Sequence, residues 1–423
     1  MCGICGVWYF DPARQVDQTL ITTMAAQLVH RGPDDVGFFR SGSMALAVRR
    51  LKIIDGENSR QPLLNEDGCL CLACNGEIYN FRDLRQQLMP RHHFHTEGDV
   101  ETILHLYEDY GLGCVNHLRG MFAFALWDGH ADQLVLAVDR FGKKPLYYFQ
   151  DHEKIVFASE LKALMRCVDI RRELDYEALD DYLSCGYIRA PHSIFVGVQR
   201  LAPGQRLTAQ RSGTIQIDQY WQPTFAEVGQ WDKRSRRDLA VELRHLLLEA
   251  VRLRMVSDVP LGAFLSGGVD SSAIVALMTH IGAAPVKTFS VGFDHPAYDE
   301  SAYARAAADF FHAEHTSALV QPDALDLLPR LVRHYDEPFA DSSMIPTYLV
   351  SQLARSEVTV VLGGDGGDEV FAGYHQHLYA YRQLYFQALI PFSLHPAAVS
   401  LAHRIPRALK IGPYLTALDH QAR

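Results

Sequence analysis

The sequence predicts two domains of different class: an α+β domain of stacked antiparallel sheets with helices packed on them, then an α/β domain with a doubly wound parallel sheet. Three observations carry this. At about 150 residues per domain, 423 residues fill two or three, each large enough to bury a core. The first half is dominated by short apolar stretches bounded by turns, and the second half alternates strands with helices.

Taken in order, Leu20, Met24 and Leu28 recur at helical spacing, and the stretches 43–54 and 69–74 read as strands. Val100, Ile103, Leu104 and Tyr107 mark a second helix, and strands at 121–127 and 133–138 flank Asp128-Gly129, a hairpin signal. Periodicity fades over 191–236, where Pro191, Pro203, Gly204 and Pro223 gather, and this stretch is expected to connect domains spanning 2–190 and 237–423. A helix with Leu239, Leu243, Leu246, Leu247, Ala250 and Leu253 on one face follows. It leads to strand 259–265, helix 271–281, strand 286–291, helix 299–312, helix 346–355 and strand 357–362.

Forty basic and fifty acidic residues leave a formal charge of −10, which argues against nucleic acid as the partner. The longest apolar run, Met121 to Trp127, is far short of the roughly 20 residues that span a bilayer, so no membrane is expected. Met1 to Gly6 carries no secretory pattern, and the expected compartment is the cytoplasm, where eight sparse cysteines stay free thiols. Cys69, Cys71 and Cys74 read as strand thiols, and His92, His93 and His95 as a polar loop or strand edge rather than ligands.

Cys2 follows a methionine that its small side chain allows to be removed, which would put a thiol and a free α-amino group on one residue. An α-amino group titrates near pH 8 and can take the thiol proton. Around it stand Arg31-Gly32-Pro33-Asp34, Arg50 before Leu51-Lys52-Ile53-Ile54-Asp55, Asn75-Gly76-Glu77-Ile78-Tyr79-Asn80, Asp99, and Arg119-Gly120-Met121-Phe122-Ala123. These motifs, in this order, resemble the glutaminase domain of class II glutamine amidotransferases, an N-terminal-nucleophile hydrolase, and within them the asparagine synthetases. The resemblance implies Cys2 as nucleophile, with the Asn75 amide and Gly76 N–H as donors to the tetrahedral oxyanion. It also implies glutamine held by Arg50 at its carboxylate, by Glu77 and Asp99 at its ammonium, and by Ile54, Asn75 and Gly76; Arg49 is expected to face solvent.

Ser266-Gly267-Gly268-Val269-Asp270-Ser271-Ser272 lies between a predicted strand and helix, where N–H groups hold phosphate, and it lacks the Gly-Lys-Ser/Thr of a P-loop. It resembles the pyrophosphate loop of the ATP pyrophosphatases. Gly363-Gly364-Asp365-Gly366-Gly367-Asp368-Glu369, after strand 357–362, resembles their second acidic loop. The resemblance implies ATP bound by Phe264, Ser266, Gly267, Gly268, Asp270, Ser271, Ser272, Val291, Gly363 and Gly364. It further implies Mg²⁺ shared by Asp270 and Asp368, with Asp365 near the reacting carboxylate. The acids of Tyr335-Asp336-Glu337-Pro338-Phe339-Ala340-Asp341-Ser342-Ser343 are expected near the acceptor pocket.

Joined, the two ends imply an AMP-forming carbon–nitrogen ligase: ammonia from glutamine attacks an acyl-adenylate made with ATP and Mg²⁺. Aspartate is the favoured acceptor and asparagine the product. A related amidotransferase for a sugar acid or peptide carboxylate, and a glutaminase or ligand-binding regulator without synthetase activity, remain open; a homodimer is compatible with all three. The match runs to about Tyr374. The family usually continues with a Glu-x-Arg-x-Pro-Phe-Leu segment, and Ile390-Pro391-Phe392 lacks its Glu and Arg, so the second domain is expected to be incomplete and synthesis weak.

Overall fold

The computed structural model describes residues 1–226, 232–295, 299–320 and 326–389, so Ile390-Pro391-Phe392 lies outside the described residues. The chain begins with β1 (Gly3–Tyr9), α1 (Gln18–Ala26), β2 (Asp35–Ser41), β3 (Met44–Arg50), β4 (Leu63–Leu64) and β5 (Leu70–Ile78). Helices α2 (Phe81–Leu88) and α3 (Glu101–Tyr110) follow, then β6 (Gly120–Asp128), β7 (Gln133–Val138), β8 (Tyr147–Gln150) and β9 (Lys154–Ala158). After α4 (Leu161–Leu164) and α5 (Tyr176–Cys185) come β10 (Val198–Arg200), β11 (Gln205–Gln210) and β12 (Ile215–Gln219).

These strands form two six-stranded sheets, in the orders β10-β8-β9-β1-β3-β2 and β12-β11-β7-β6-β5-β4, and every pairing within them is antiparallel. The period-2 alternation of β1 explains the layering. Ile4 and Trp8 point between the sheets, against Cys71, Ala123, Ala125 and Leu136, while Cys5 and Val7 point outward onto Ile21, Met24 and Leu28 of the α1 region. The outer face of the second sheet is covered by Leu84, Leu88, Ile103 and Leu104 of α2 and α3. Because β3, β5 and β6 are buried on both faces, they read in sequence as continuous apolar runs rather than as alternating ones. Asp128-Gly129 does open a hairpin: β6 and β7 pair as Trp127↔Leu134 and Asp128↔Gln133.

The stretch 191–236, expected as a connection, instead supplies β10, β11 and β12 to the two sheets. Its prolines and glycines punctuate strands too short for a period to show: β10 has three residues and β12 five.

The second part contains α6 (Arg236–Arg254), β13 (Leu261–Phe264), α7 (Val269–Ile281), β14 (Lys287–Phe293), α8 (Ser301–Phe310) and β15 (Glu314–Val320). It continues with α9 (Leu328–Tyr335), α10 (Met344–Arg355), β16 (Val360–Leu362), α11 (Gly367–Phe371) and α12 (His375–Leu389). Its sheet is parallel throughout, in the order β15-β14-β13-β16. One face packs on Val251, Val275, Met278, Ala304 and Ala308 from α6, α7 and α8, and the other on Val350, Leu353 and Ala354 from α10, which is the doubly wound arrangement. The α6 face is only partly used: Val251 is buried, while Leu243 and Leu246 stay 38% and 54% exposed. The chain moves outward from β13 to β14 and β15, then returns to place β16 on the other side of β13. A crevice therefore opens beyond the carboxyl ends of β13 and β16, the place where such sheets take ligands.

Candidate active sites

Cys2 enters β1 and is 9% exposed. Its thiol faces the Leu51 main chain, with Sγ 3.8 Å from Leu51 O and 3.5 Å from Leu51 N. Burial raises the thiol pKa; the Leu51 N–H, the terminal amine and Arg50 oppose that rise, and Glu77 adds to it. Burial also lowers the pKa of the Met1 amine to about 5.

Arg50 closes β3 and is buried. It donates to the carbonyls of Ile54 (3.1 Å), Asp55 (2.9 Å) and Gly56 (2.9 Å), so its guanidinium braces the loop that carries Ile54. The loop is tied at Asp55, whose φ is +46° and whose carboxylate accepts from Ser59 Oγ and Glu97 N. Arg49 differs from the expectation. It is half-buried and donates to Ala25 O at 3.2 Å, because β3 packs under α1.

Asn75 lies in β5 with no exposure, and neither its amide nitrogen nor its oxygen has a hydrogen-bond partner among the described residues. A buried amide left so costs free energy, about 1–3 kcal/mol for each unmet group. Gly76 is required for a reason the motif did not suggest: a Cβ there would sit 2.4 Å from Met121 O and 2.7 Å from Phe122 Cα on β6. Its bareness serves strand packing. Asp99 is buried and accepts from Ile78 N at 2.6 Å, fixing the end of β5 on which Glu77 sits. Burial pushes Asp99 up to about 6; burial and then the Asp99 charge hold Glu77 well above the usual carboxylate range.

Two basic residues lie close to Cys2 and Met1. Arg31 donates from Nε to Cys2 O at 2.9 Å and from Nη1 to Glu160 at 2.8 Å. Lys144, which single-residue reading passed over, is 4% exposed, with Nζ 2.6 Å from Met1 Sδ. Burial lowers its pKa to about 8, with Arg31 adding to the fall, while Glu77 and Cys2 pull it upward. The one available signal was its place in Lys143-Lys144-Pro145 between two strands.

The Ser266–Ser272 and Gly363–Glu369 loops meet at the crevice. Ser266 leaves β13, and its Oγ lies 3.0 Å from Ser271 Oγ in the first turn of α7. Gly267 has φ +85°, and a Cβ there would sit 2.4 Å from the Tyr303 carbonyl carbon, so it is needed for the turn and for the approach of α8. Beside Gly268 the space is open, the nearest atom to a Cβ being Ser266 Oγ at 3.4 Å. The second loop packs on the first: a Cβ on Gly364 would be 2.9 Å from Ser271 N, and one on Gly367 2.4 Å from Asp270 Oδ2.

Ser266, Gly268, Asp270, Ser271, Gly363, Gly364, Asp365 and Asp368 all line one cavity of about 620 Å³. Phe264 and Val291 line an adjoining, more apolar cavity of about 230 Å³ with Phe289, Phe293 and Val350. Phe264 and Ser266 border both. Gly267 and Ser272 line neither; Ser272 N instead donates to Gly268 O at 3.0 Å in the first turn of the helix. Hard carboxylate oxygens from Asp270 and Asp368 on one cavity wall suit Mg²⁺.

The segment 335–343 also differs from expectation. Asp336 accepts from Lys162 N at 2.9 Å, and Glu337 accepts from Tyr147 OH at 2.8 Å and Ile194 N at 3.0 Å. Both acids are thus engaged by the first domain, while Asp341 is exposed. All eight cysteines are free, with Cys71 and Cys74 buried in β5. His92 stacks on His105, and Glu108 lies 3.1 Å and 2.8 Å from their Nδ1 atoms; Glu66, His92 and His105 lie close enough together for a metal ion, a grouping across distant residues that the sequence did not suggest. No helix among the described residues is long and apolar enough to cross a membrane.

Comparison with known proteins matches residues 1–221 to a glutamine amidotransferase domain and residues 242–420 to asparagine synthase. The chain belongs to the glutamine-hydrolysing asparagine synthetase family. It is 38% identical over 415 residues to glutamine-hydrolysing asparagine synthetase 1 of Bacillus subtilis, an alignment covering 97% of this chain and 62% of that protein. It is 37% identical over 417 residues to a provisionally named glutamine-hydrolysing asparagine synthetase 2 of Methanocaldococcus jannaschii, covering 93% and 79%. The chain thus spans less than two thirds of the Bacillus member of the family. Family membership accords with the layered N-terminal-nucleophile hydrolase fold of the first domain and the parallel α/β fold of the second.

Proposed function

We propose that this chain hydrolyses glutamine at Cys2 and uses the ammonia to amidate aspartate activated by ATP, releasing asparagine, glutamate, AMP and pyrophosphate. The observation that carries the glutamine half is the buried Asn75 amide without a partner. A tetrahedral oxyanion beside Cys2 supplies the acceptor that its N–H lacks, so the amide is prepaid for a transition state rather than for the resting protein. Once Met1 is removed, the new α-amino group of Cys2 is the base that takes the thiol proton. Arg50, already oriented by three carbonyls, meets the substrate carboxylate, Asp99 and Glu77 meet its ammonium, and Ile54 lines the loop between them.

For the ATP half, the paired cavities give an apolar slot for the base at Phe264 and Val291 and a serine- and glycine-lined chamber for the phosphates. The α7 N-terminus and the hydroxyls of Ser266 and Ser271 donate to phosphate oxygens, Gly268 leaves room for them, Gly364 lets the second loop pack against the first so that its backbone and that of Gly363 meet the nucleotide, and Gly267 and Ser272 keep the turn in shape. Mg²⁺ held by Asp270 and Asp368 would neutralise charge on the leaving pyrophosphate. Asp365 stands exposed at the rim, where the acceptor carboxylate would approach. Domain limits of about 1–221 and 236–423 suit the sheets and the family matches better than 190 and 237.

The test is product analysis with glutamine, ATP-Mg²⁺ and a panel of carboxylic acids. Asparagine, AMP and pyrophosphate formed together with aspartate alone is the expected result. Amide formed on another acid reassigns the acceptor, and glutamate without any amide removes the synthetase half.

A further inference from the structure

Between the nucleophile and the second domain runs an unbroken line of alternating charges. Arg31 Nε donates to the carbonyl of Cys2 itself at 2.9 Å, and Arg31 Nη1 to Glu160 Oε1 at 2.8 Å. Glu160 Oε2 accepts from Lys162 Nζ at 2.5 Å and lies 2.9 Å from His30 Nε2. Lys162 spans the seam, with Nζ 3.1 Å from Asp336 Oδ1 and its own N–H donating to Asp336 Oδ2 at 2.9 Å. The Arg31, Glu160, Lys162 and Asp336 side chains are only 10%, 10%, 15% and 10% exposed. Around the far end, Lys162 Nζ also reaches His334 O at 3.3 Å, and the His334 ring meets that of His30 at 5.1 Å.

The line has features of a positioning device. Glu160 immediately precedes α4 and is held to about 2, since burial, which alone would raise it, is outweighed by His30, Arg31 and Lys162. Asp336 sits at φ +66° where α9 ends, a backbone state that a non-glycine residue keeps only when its surroundings fix it. Arg31 offers a rigid fork, so any shift of Glu160 is passed to the Cys2 main chain. Buried pairs of this kind do not tolerate the loss of one member, because the remaining charge is stranded.

We infer that Lys162 and Asp336 are positioning residues for glutamine hydrolysis, acting on Cys2 through Glu160 and Arg31, so that the second domain helps to set the geometry of the nucleophile in the first. This rests on the reading of Cys2 as the nucleophile. Neither residue touches glutamine. Their effect belongs in turnover and in thiol reactivity, not in substrate affinity.

Lys162→Met, Lys162→Arg, Asp336→Asn and the pair Lys162→Met/Asp336→Leu are compared in the full chain. The readouts are kcat and KM for glutamine, the rate of Cys2 alkylation by iodoacetamide, and the thermal midpoint. Displacements of about 1 Å at a reacting group cost up to about 10²-fold, and a displacement transmitted through two side chains costs less, about tenfold. Lys162→Met is expected to lower kcat and the alkylation rate about tenfold with KM within about twofold, and Lys162→Arg to restore most of both. In the pair the losses do not add, because neither charge is then stranded. Turnover and alkylation within about twofold of wild type in Lys162→Met, or losses that follow KM or the folded fraction instead, overturn the proposal. A wild-type chain that does not hydrolyse glutamine defeats the reading of Cys2 instead; the alkylation rates alone then decide whether the charge line positions the thiol.

Discussion

Cys2 precedes β1, Arg50 closes β3, Asn75 lies within β5 and Asp99 in the loop before α3, none more than 9% exposed, whereas Ser266, Gly268 and Asp365 stand exposed on loops at the open edge of a four-stranded sheet. Burial changes what an unmet polar group means. At the glutamine end no water reaches the Asn75 amide, so its lack of a partner is a cost that substrate chemistry can repay. At the ATP end solvent satisfies the loop groups, and the signal is spatial: a φ of +85° at Gly267 and open space beside Gly268.

The contrast can be broken at its strongest point first. Cys2→Ala is expected to abolish glutamine-dependent amidation and glutaminase while sparing any ammonia-dependent amidation, measured as glutamate and amide release from each nitrogen source. Equal loss of both in a folded variant would mean that the two ends are not separate sites. Asn75→Ala should lower glutamine turnover by about 10²–10³-fold, the usual effect of deleting one preorganised oxyanion donor. It should also leave the thermal midpoint unchanged or raised, since a costly unpaired amide goes with it. A destabilised variant with near-normal turnover would make Asn75 structural.

At the ATP end, Asp270→Asn should raise the Mg²⁺ concentration needed for pyrophosphate release at least about tenfold, because even groups that only orient metal ligands are worth about 10–100-fold. Stability should barely change on an open loop. An unchanged Mg²⁺ requirement would place the metal elsewhere. The smallest effect concerns pH. Burial pushes Asp99 up to about 6, so the carboxylate proposed to meet the glutamine ammonium is ionised above pH 6 and protonated below it. Between pH 6 and 5 the KM for glutamine should rise by up to about tenfold, the limit for one ionisation, and Asp99→Asn should flatten the profile. For stability the sign is the reverse. A carboxyl raised in the fold penalises the folded state as pH climbs from about 4 to 6, whereas Glu160, held to about 2, stabilises it above its usual pKa and ceases to as pH falls towards 2.

Local sequence was enough wherever chemistry and backbone sit in one short stretch. Cys2, the Asn75-Gly76-Glu77 run, the Ser266–Ser272 turn and the Gly363–Asp368 loop each pair a reactive group with the glycine or serine that shapes its surroundings, and a strand before each loop sets its edge of the sheet. Even there, the reasons for glycine were hidden. At Gly76 it is β6 that forbids a side chain, and at Gly267 it is α8. Strands β10 to β12 were missed because three to six residues give a period little room to show, and β10 and β11 find their partners, β8 and β7, far earlier in the chain.

Glu160 and Lys162 had no such local signature, and the motifs that hold Arg31 and Asp336 did not point to their partners. In sequence a lone charged residue is most often a solvated one. Folding buries Lys144 beside Met1 and carries Lys162 to Asp336, 174 residues away. By itself the sequence indicated the family and the loops that line the two proposed sites, since those depend on residue types within a few positions of one another. Only the tertiary structure decided which charges lose water and so must find partners across the seam, because burial belongs to the packed chain and to no segment of it.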